Sequence, residues 1–310
     1  MQADCLNCYE RCPSNWKDML RFSLVFALAL LSAIPLKAQE FSGGFRAGLN
    51  FTTFNGPLDM GADGTELEAF EYSNGFHVGA MGTLRFTDIF GLRAELLYSQ
   101  KGGIYSYNGE SYWIFTPTNG SESFLATGNR ETALEVTNSY IDIPVMGVAR
   151  FNKFEISAGM SLGFLVASRA SGETRFTGAS AQGDLITPFL LVLDYNYFDE
   201  PFRQGENTAV FRRDIDNQPV EIPQTLGAYY QEAESDENLY KTLDLGLVGG
   251  VSYYLNRGLF LGLRLNYGIS DITNTSRDIS RQVVDSANEF VTRDDNDRNL
   301  NLQISVGFSL

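Results

Sequence analysis

The sequence predicts an all-β chain: an eight-stranded antiparallel up-and-down transmembrane β-barrel with long extracellular loops. Three observations predict it. Eight segments alternate apolar and polar residues with a period of two, which marks strands with unlike faces. The links between those segments alternate strictly between short and long. The apolar face is also too bulky to be packed inside so narrow a barrel.

The first segment, 43–54, sets Phe45, Ala47, Leu49 and Phe51 against Arg46, Gly48 and Asn50. The second, 75–86, sets Phe76, Val78, Ala80, Leu84 and Phe86 against His77, Gly79, Met81, Thr83 and Arg85. In the third, 91–102, Leu92, Ala94, Leu96 and Tyr98 alternate with Arg93, Glu95, Ser99 and Lys101. In the fourth, 140–151, Ile141, Ile143, Val145, Ala149 and Phe151 oppose Asp142, Pro144 and Arg150. The fifth, 154–168, carries Phe154, Ile156, Ala158, Met160, Leu162, Phe164 and Val166 against Glu155, Ser157, Gly159, Ser161 and Gly163. The sixth, 242–255, has Leu243, Leu245, Leu247, Val251 and Tyr253 against Asp244, Gly246, Gly250 and Ser252. The seventh, 259–269, runs from Leu259 to Ile269 with Gly262, Arg264, Asn266 and Gly268 on its other face. The last, 300–310, alternates Leu300, Leu302, Ile304, Val306, Phe308 and Leu310 with Asn301, Gln303, Ser305, Gly307 and Ser309.

Segments two and three, four and five, and six and seven are joined by a few residues each, as hairpins are. The other connections, about 55–73, 103–136, 169–240 and 270–298, are long. Strands of about 11 residues tilted by about 45° suffice to cross a bilayer. Side-chain volume decides which face is outside. The interior of an eight-stranded barrel has room for glycine, serine and a few polar groups, not for the leucines and phenylalanines of every strand. A belt of that size in water exceeds the patch a soluble protein exposes. The apolar face therefore meets lipid. Tyr98, Tyr140, Tyr253, Tyr267, Phe86, Phe154 and Phe308, near strand ends, fit interfacial girdles.

The inward set carries a lumen charge network. Arg46, Arg85, Arg93, Arg150 and Glu155 are expected toward the short-turn rim, and Glu95, Asp142, Asp244 and Arg264 at mid-height or above. Buried charges persist when paired, so a plug is the expected role; a selectivity ring in a narrow pore is the other reading.

Residues 19–38 have the form of a signal peptide, with Arg21, an apolar run from Phe22 to Leu36 and Ala38 before the cut. The 18 residues before Met19 read as a start-site artefact, which leaves 39–310 as the barrel domain. Cys5, Cys8 and Cys12, the only cysteines, all lie upstream and lack a fourth ligand for a metal. From Gln39 onward there are 19 basic and 35 acidic residues. So acidic a chain, with no basic cluster, is not a nucleic-acid binder.

Segment 170–240 has 13 acidic and 4 basic residues, and 270–298 contains RDDNDR. Calcium is conceivable there, but the EF-hand glycine spacing is absent and a solvated acidic surface is the expected state. The apolar stretch 185–198 packs as an external hairpin or pairs with 208–222, and the second option makes ten strands. The third strand also has the residues to continue through IYSYNGESYWIF. His77, the only histidine, is expected to point inward near the external rim, near Asp142. Without a nucleophile motif it reads as a lumen hydrogen-bonding group and not a catalyst.

GFRAGLNFTTFNG, ELLYSQKG, YIDIPVMG, FEISAGMSLGFLVAS and GLFLGLRLNYGISDI together resemble the PorT-like outer-membrane β-barrel family over nearly all of 41–310. The long 169–240 connection departs from that pattern. The resemblance implies the outer membrane of a Gram-negative cell, no enzyme activity and no cofactor. The founding member implies a link to secretion machinery; other members imply a porin-like barrel. The terminal QISVGFSL resembles the signal read by barrel-assembly machinery, with Phe308 and Leu310 at its apolar positions and Ser305 where glycine is typical. The expected partners are outer-membrane lipid, that machinery during insertion, and a protein at loops 103–136 and 170–240. The expected function is a structural or interaction barrel, with a narrow channel and a His77 rim enzyme as alternatives.

Overall fold

A computed structural model describes residues 40–200, 209–230, 237–286, 288 and 290–310. The upstream segment 1–18 and the signal peptide 19–38 lie outside the described residues. Eight strands form a ring: β1 Glu40–Asn55, β2 Ser73–Arg85, β3 Phe90–Phe115, β4 Phe124–Phe151, β5 Phe154–Ser180, β6 Leu243–Tyr254, β7 Leu259–Gly268 and β8 Arg298–Ser309. Each pairs antiparallel with the next, and β1 meets β8 from Gly44↔Ser309 to Asn55↔Arg298. That last ladder removes the free edges, so backbone groups in the ring find partners in neighbouring strands.

The faces follow the alternation. Leu49 is 59 % exposed and Leu263 46 %, and Phe45, Leu96, Ile156, Met160, Leu247 and Ile304 join them on the outer belt. Arg46, Glu95, Asp142, Ser161, Asp244, Arg264 and Gln303 are buried on the other side. Close approach explains the inward glycines. A Cβ on Gly163 would lie 2.6 Å from Asp142 Oδ1, and one on Gly48 would lie 2.7 Å from the His77 ring.

Tyr140 corrects the girdle expectation. It is 0 % exposed, because even-numbered residues of β4 face the lumen and Tyr140 shares its parity with Asp142. Phe86, Phe154 and Tyr253 are exposed, as a girdle requires.

The long connections 103–136 and 169–240 are not mainly loops. The β3–β4 ladder runs on to Phe115↔Phe124, through the IYSYNGESYWIF residues. β5 extends to Ser180, and Leu185–Asn196 pairs with its upper half from Arg169↔Asn196 to Ala179↔Leu185. These segments, rich in aromatic and β-branched residues, make a sheet standing beyond the ring, with the short strands Glu68–Glu71 and Thr225–Leu226 added at its edges. Val210–Ile215 pairs with Gln218–Pro223 as a separate hairpin. Its turn is Asp216–Asn217, at φ 52° and 58°, a conformation these two residue types tolerate. The ring therefore has eight strands, and 185–196 and 210–223 stay outside it.

One irregularity joins the two levels. Ser139 pairs with Ala167 and Tyr140 with Leu165, leaving Val166 as an extra residue. Below it β5 turns Glu155, Ser157, Ser161 and Leu165 inward; above it, Ser168, Ala170, Thr174 and Phe176. The bulge swaps the parity of the strand.

Because Leu263 lies on the outer belt, Leu263→Arg should lower the free energy of folding into lipid vesicles by about 2–4 kcal/mol, read from urea titrations. Leu263→Ile should leave it nearly unchanged.

Candidate functional site

The lumen is crossed by charge pairs at three levels. Nearest the short turns, Arg93 bonds Glu155 through both terminal nitrogens, at 2.6 and 3.0 Å, and its Nε donates to Thr83 at 2.9 Å. Tyr254 donates to Glu155 at 3.2 Å, and Tyr254, Met81 and Phe260 form a small apolar floor.

At mid-height Glu95 takes a two-pronged bond from Arg264, 2.8 Å on each arm, and a longer one from Arg46 at 3.3 Å. Arg46 also bonds Ser305. Nearest the long connections, Lys101 reaches Asp142 and Asp244, each at 2.9 Å, and lies over the Tyr140 ring. Four cations, Arg93, Arg46, Arg264 and Lys101, thus face four carboxylates, Glu155, Glu95, Asp142 and Asp244.

These pairings bring together seven of the nine residues singled out from the sequence. Arg46 groups with Glu95 at mid-height and not with the rim set, because its long side chain rises to that carboxylate. Arg85 is only half-buried, and Arg150 stacks over the Tyr254 ring at 3.5 Å and bonds the Asn152 carbonyl. Neither joins the ion pairs described, since both sit where the strands reach their turns. Lys101 is the member that sequence reasoning left out, although its inward parity marked it. His77 is 1 % exposed, and its Nδ1 lies 2.7 Å from Asn50 Oδ1. Its partner is Asn50, the inward residue of β1, and not Asp142.

Beyond these levels, between the standing sheet and the segments 209–230 and 270–297, lies an open cup. It measures about 1240 Å³, counting the solvent at its mouth. Phe54, Phe70, Tyr105, Trp113, Tyr195 and Tyr197 supply much of its wall. Trp113 packs on Phe176 and Phe189 with ring centroids 5.7 and 5.0 Å apart, and Phe54 on Tyr240 at 6.1 Å.

The charges of the cup form two groups. On one side Arg293 is held by Glu68 at 3.0 Å and Asp295 at 2.7 Å, with Asp59 at 3.7 Å. Asp278, Asp295 and Asp297 bring one oxygen each within 4.8 Å of one another, a cluster with the donor chemistry of a metal site. They are half-buried and not the solvated surface expected of RDDNDR, whereas Asp294 is exposed. Burial and then the neighbouring carboxylates push Asp297 up to about 6, although Arg293 opposes this, and burial raises Asp278 as well. The second group centres on Arg130 of β4, which is 6 % exposed. It donates one bond, 2.6 Å, to the Tyr112 carbonyl and lies over the Trp113 ring at 5.0 Å. Burial, followed by the Arg281 charge, lowers its guanidinium to about 10.

A closed ring with an apolar outer belt and a charge-filled interior defines a class, the β-barrels that span outer membranes. The chain matches the family described as outer membrane protein beta-barrel domain over residues 37–274. It belongs to that family and lies in the outer membrane, with the long connections extracellular. Among solved structures it is similar to Ail of Yersinia pestis, at 9 % identity, 87 % of this chain, 99 % of that one and a TM-score of 0.32. It is also similar to OprG of Pseudomonas aeruginosa, at 11 % identity, 88 % and 97 % coverage and a TM-score of 0.32. The toluene transporter TodX of P. putida matches at 9 % identity, 86 % and 89 % coverage and a TM-score of 0.25. No curated protein matches the chain.

Glu95 neutralises two buried guanidinium groups, so Glu95→Ala should cost about 3–5 kcal/mol of folding free energy in urea titration. Glu95→Leu combined with Arg46→Leu and Arg264→Met should recover much of that loss.

A carboxyl whose pKa is raised in the fold binds its proton more tightly there than in the unfolded chain. The 270–297 segment should therefore be most secure below about pH 4 and loosen as pH rises through 6. Hydrogen exchange of that segment at pH 5 and 8 should show the difference, and Asp297→Asn should reduce it.

Proposed function

We propose that this protein is a closed-lumen interaction barrel, which displays a binding cup outside the cell and passes no solute. One observation carries the reading: the three tiers of ion pairs, balanced in sum, that link the strands of the ring across its interior. Side chains held in such pairs have little left with which to replace the hydration shell of a passing ion. The nine lumen residues named from the sequence then act as a plug and its rim, with Lys101 added.

The working surface is the sheet and segments around the cup, built largely from 103–136 and 170–240, the regions expected to face a partner. The PorT-like strand motifs add secretion machinery as the partner class. A His77 enzyme has little to support it, since the ring is buried and bonded to Asn50.

In planar lipid bilayers the native protein should give no steady ion current. Lys101→Ala combined with Asp142→Ala, and Glu95→Ala combined with Arg264→Ala, should together raise conductance, if the variant folds with normal heat-modifiable mobility. A steady native current that falls when Arg46 or Arg150 is neutralised overturns the reading in favour of the narrow channel.

A further inference from the structure

The cup holds a group that the plug does not use. Arg130 projects from β4 into an aromatic wall, and no carboxylate lies within ion-pair reach of it among the described residues. Its Nε is buried without a hydrogen-bond partner, and one terminal nitrogen is spent on the Tyr112 carbonyl. A buried charge of this kind is costly unless a counter-charge meets it. Elsewhere in the chain the buried cations Arg46, Arg93, Lys101 and Arg264 each have a carboxylate. Arg130 lines the cavity instead.

Around it the wall is apolar: Trp113, Leu134, Leu193 and Tyr195. A guanidinium without an acid, set in an aromatic wall, is complementary to a carboxylate carried on a hydrophobic body. The charge-assisted bond fixes one end and the rings cover the other.

We propose that the cup binds a small organic anion with an aromatic or aliphatic body, its carboxylate seated on Arg130 and its body against Trp113. The acids gathered about Arg293 orient the ligand by excluding its charge from their part of the cavity. This inference rests on the cup being the working surface of the barrel, and it names the chemistry that surface recognises.

Trp113 makes the test direct, because the only other tryptophan of the chain is Trp16. The full-length protein in lipid nanodiscs is titrated at pH 7.5 with 4-phenylbutyrate, 4-phenylbutan-1-ol and 4-phenylbutylamine. Tryptophan emission and calorimetry are followed, with Trp113→Phe as the control for signal origin. The acid should saturate and shift the Trp113 emission, and the alcohol should bind at least about ten-fold more weakly. Arg130→Gln should remove that preference while leaving the alcohol unchanged.

Equal affinity for acid and alcohol overturns the proposal, and so does a preference for the amine. The comparison of the three compounds on the native protein needs no substitution, so a misfolded Arg130→Gln leaves the test intact. A conducting barrel that still selects the acid through Arg130 overturns the closed-lumen reading alone. A silent barrel that binds none of the three overturns this proposal alone.

Discussion

Hydrocarbon supplies no hydrogen bonds, and the structure depends on that constraint. Every N–H and C=O that enters the membrane must be paired within the chain. The β1–β8 ladder meets the requirement by removing the edges of the sheet. Closure then sorts the side chains. The outer parity must be apolar because it meets lipid, so charged and hydroxyl groups are confined to the inner one. A narrow interior tolerates charges only in neutral groupings. The balance of Arg46, Arg93, Lys101 and Arg264 against four carboxylates is thus a consequence of the ring's small diameter.

Beyond the membrane the constraint is lifted, and the architecture changes. β3, β4 and β5 continue past the ring, gain Leu185–Asn196 as a further strand, and bury Trp113, Phe176 and Leu191 against a covering hairpin. An apolar face turned inward is the ordinary solution in water, the reverse of the arrangement below. The same chain uses hydrophobic burial in its extracellular part and polar burial in its barrel. The cup lies in the upper of these two regimes, which is why it combines aromatic walls with charges that are only partly matched.

The sequence made the barrel legible because lipid enforces period two without exception through each membrane strand. The inward positions of Arg46, Glu95, Asp142 and Arg264 could be read from parity alone. Pairing could not. Arg46 reaches from β1 to Glu95 on β3, a contact across the lumen that depends on strand tilt and side-chain length. Tyr140 departs from the girdle because parity outranks residue type: an aromatic near a strand end still turns to whichever face its position dictates. The cup was illegible for a different reason. Its wall comes from β1, β3, β4, the Leu185–Asn196 strand and the segments after 209 and 270, joined only in three dimensions. The Asp216–Asn217 turn was a local signal that could have located the covering hairpin.

The extra residue at Val166 sits where these two regimes meet. β4 crosses the same boundary with its inward residues even-numbered throughout, from Arg130 to Val148. The insertion therefore leaves the two faces of β5 continuous and shifts only which positions occupy them. A residue's number in β5 tells its side of the sheet only once its place before or after 166 is known, and a relative lacking that one position would carry the opposite odd-even code in its outer half.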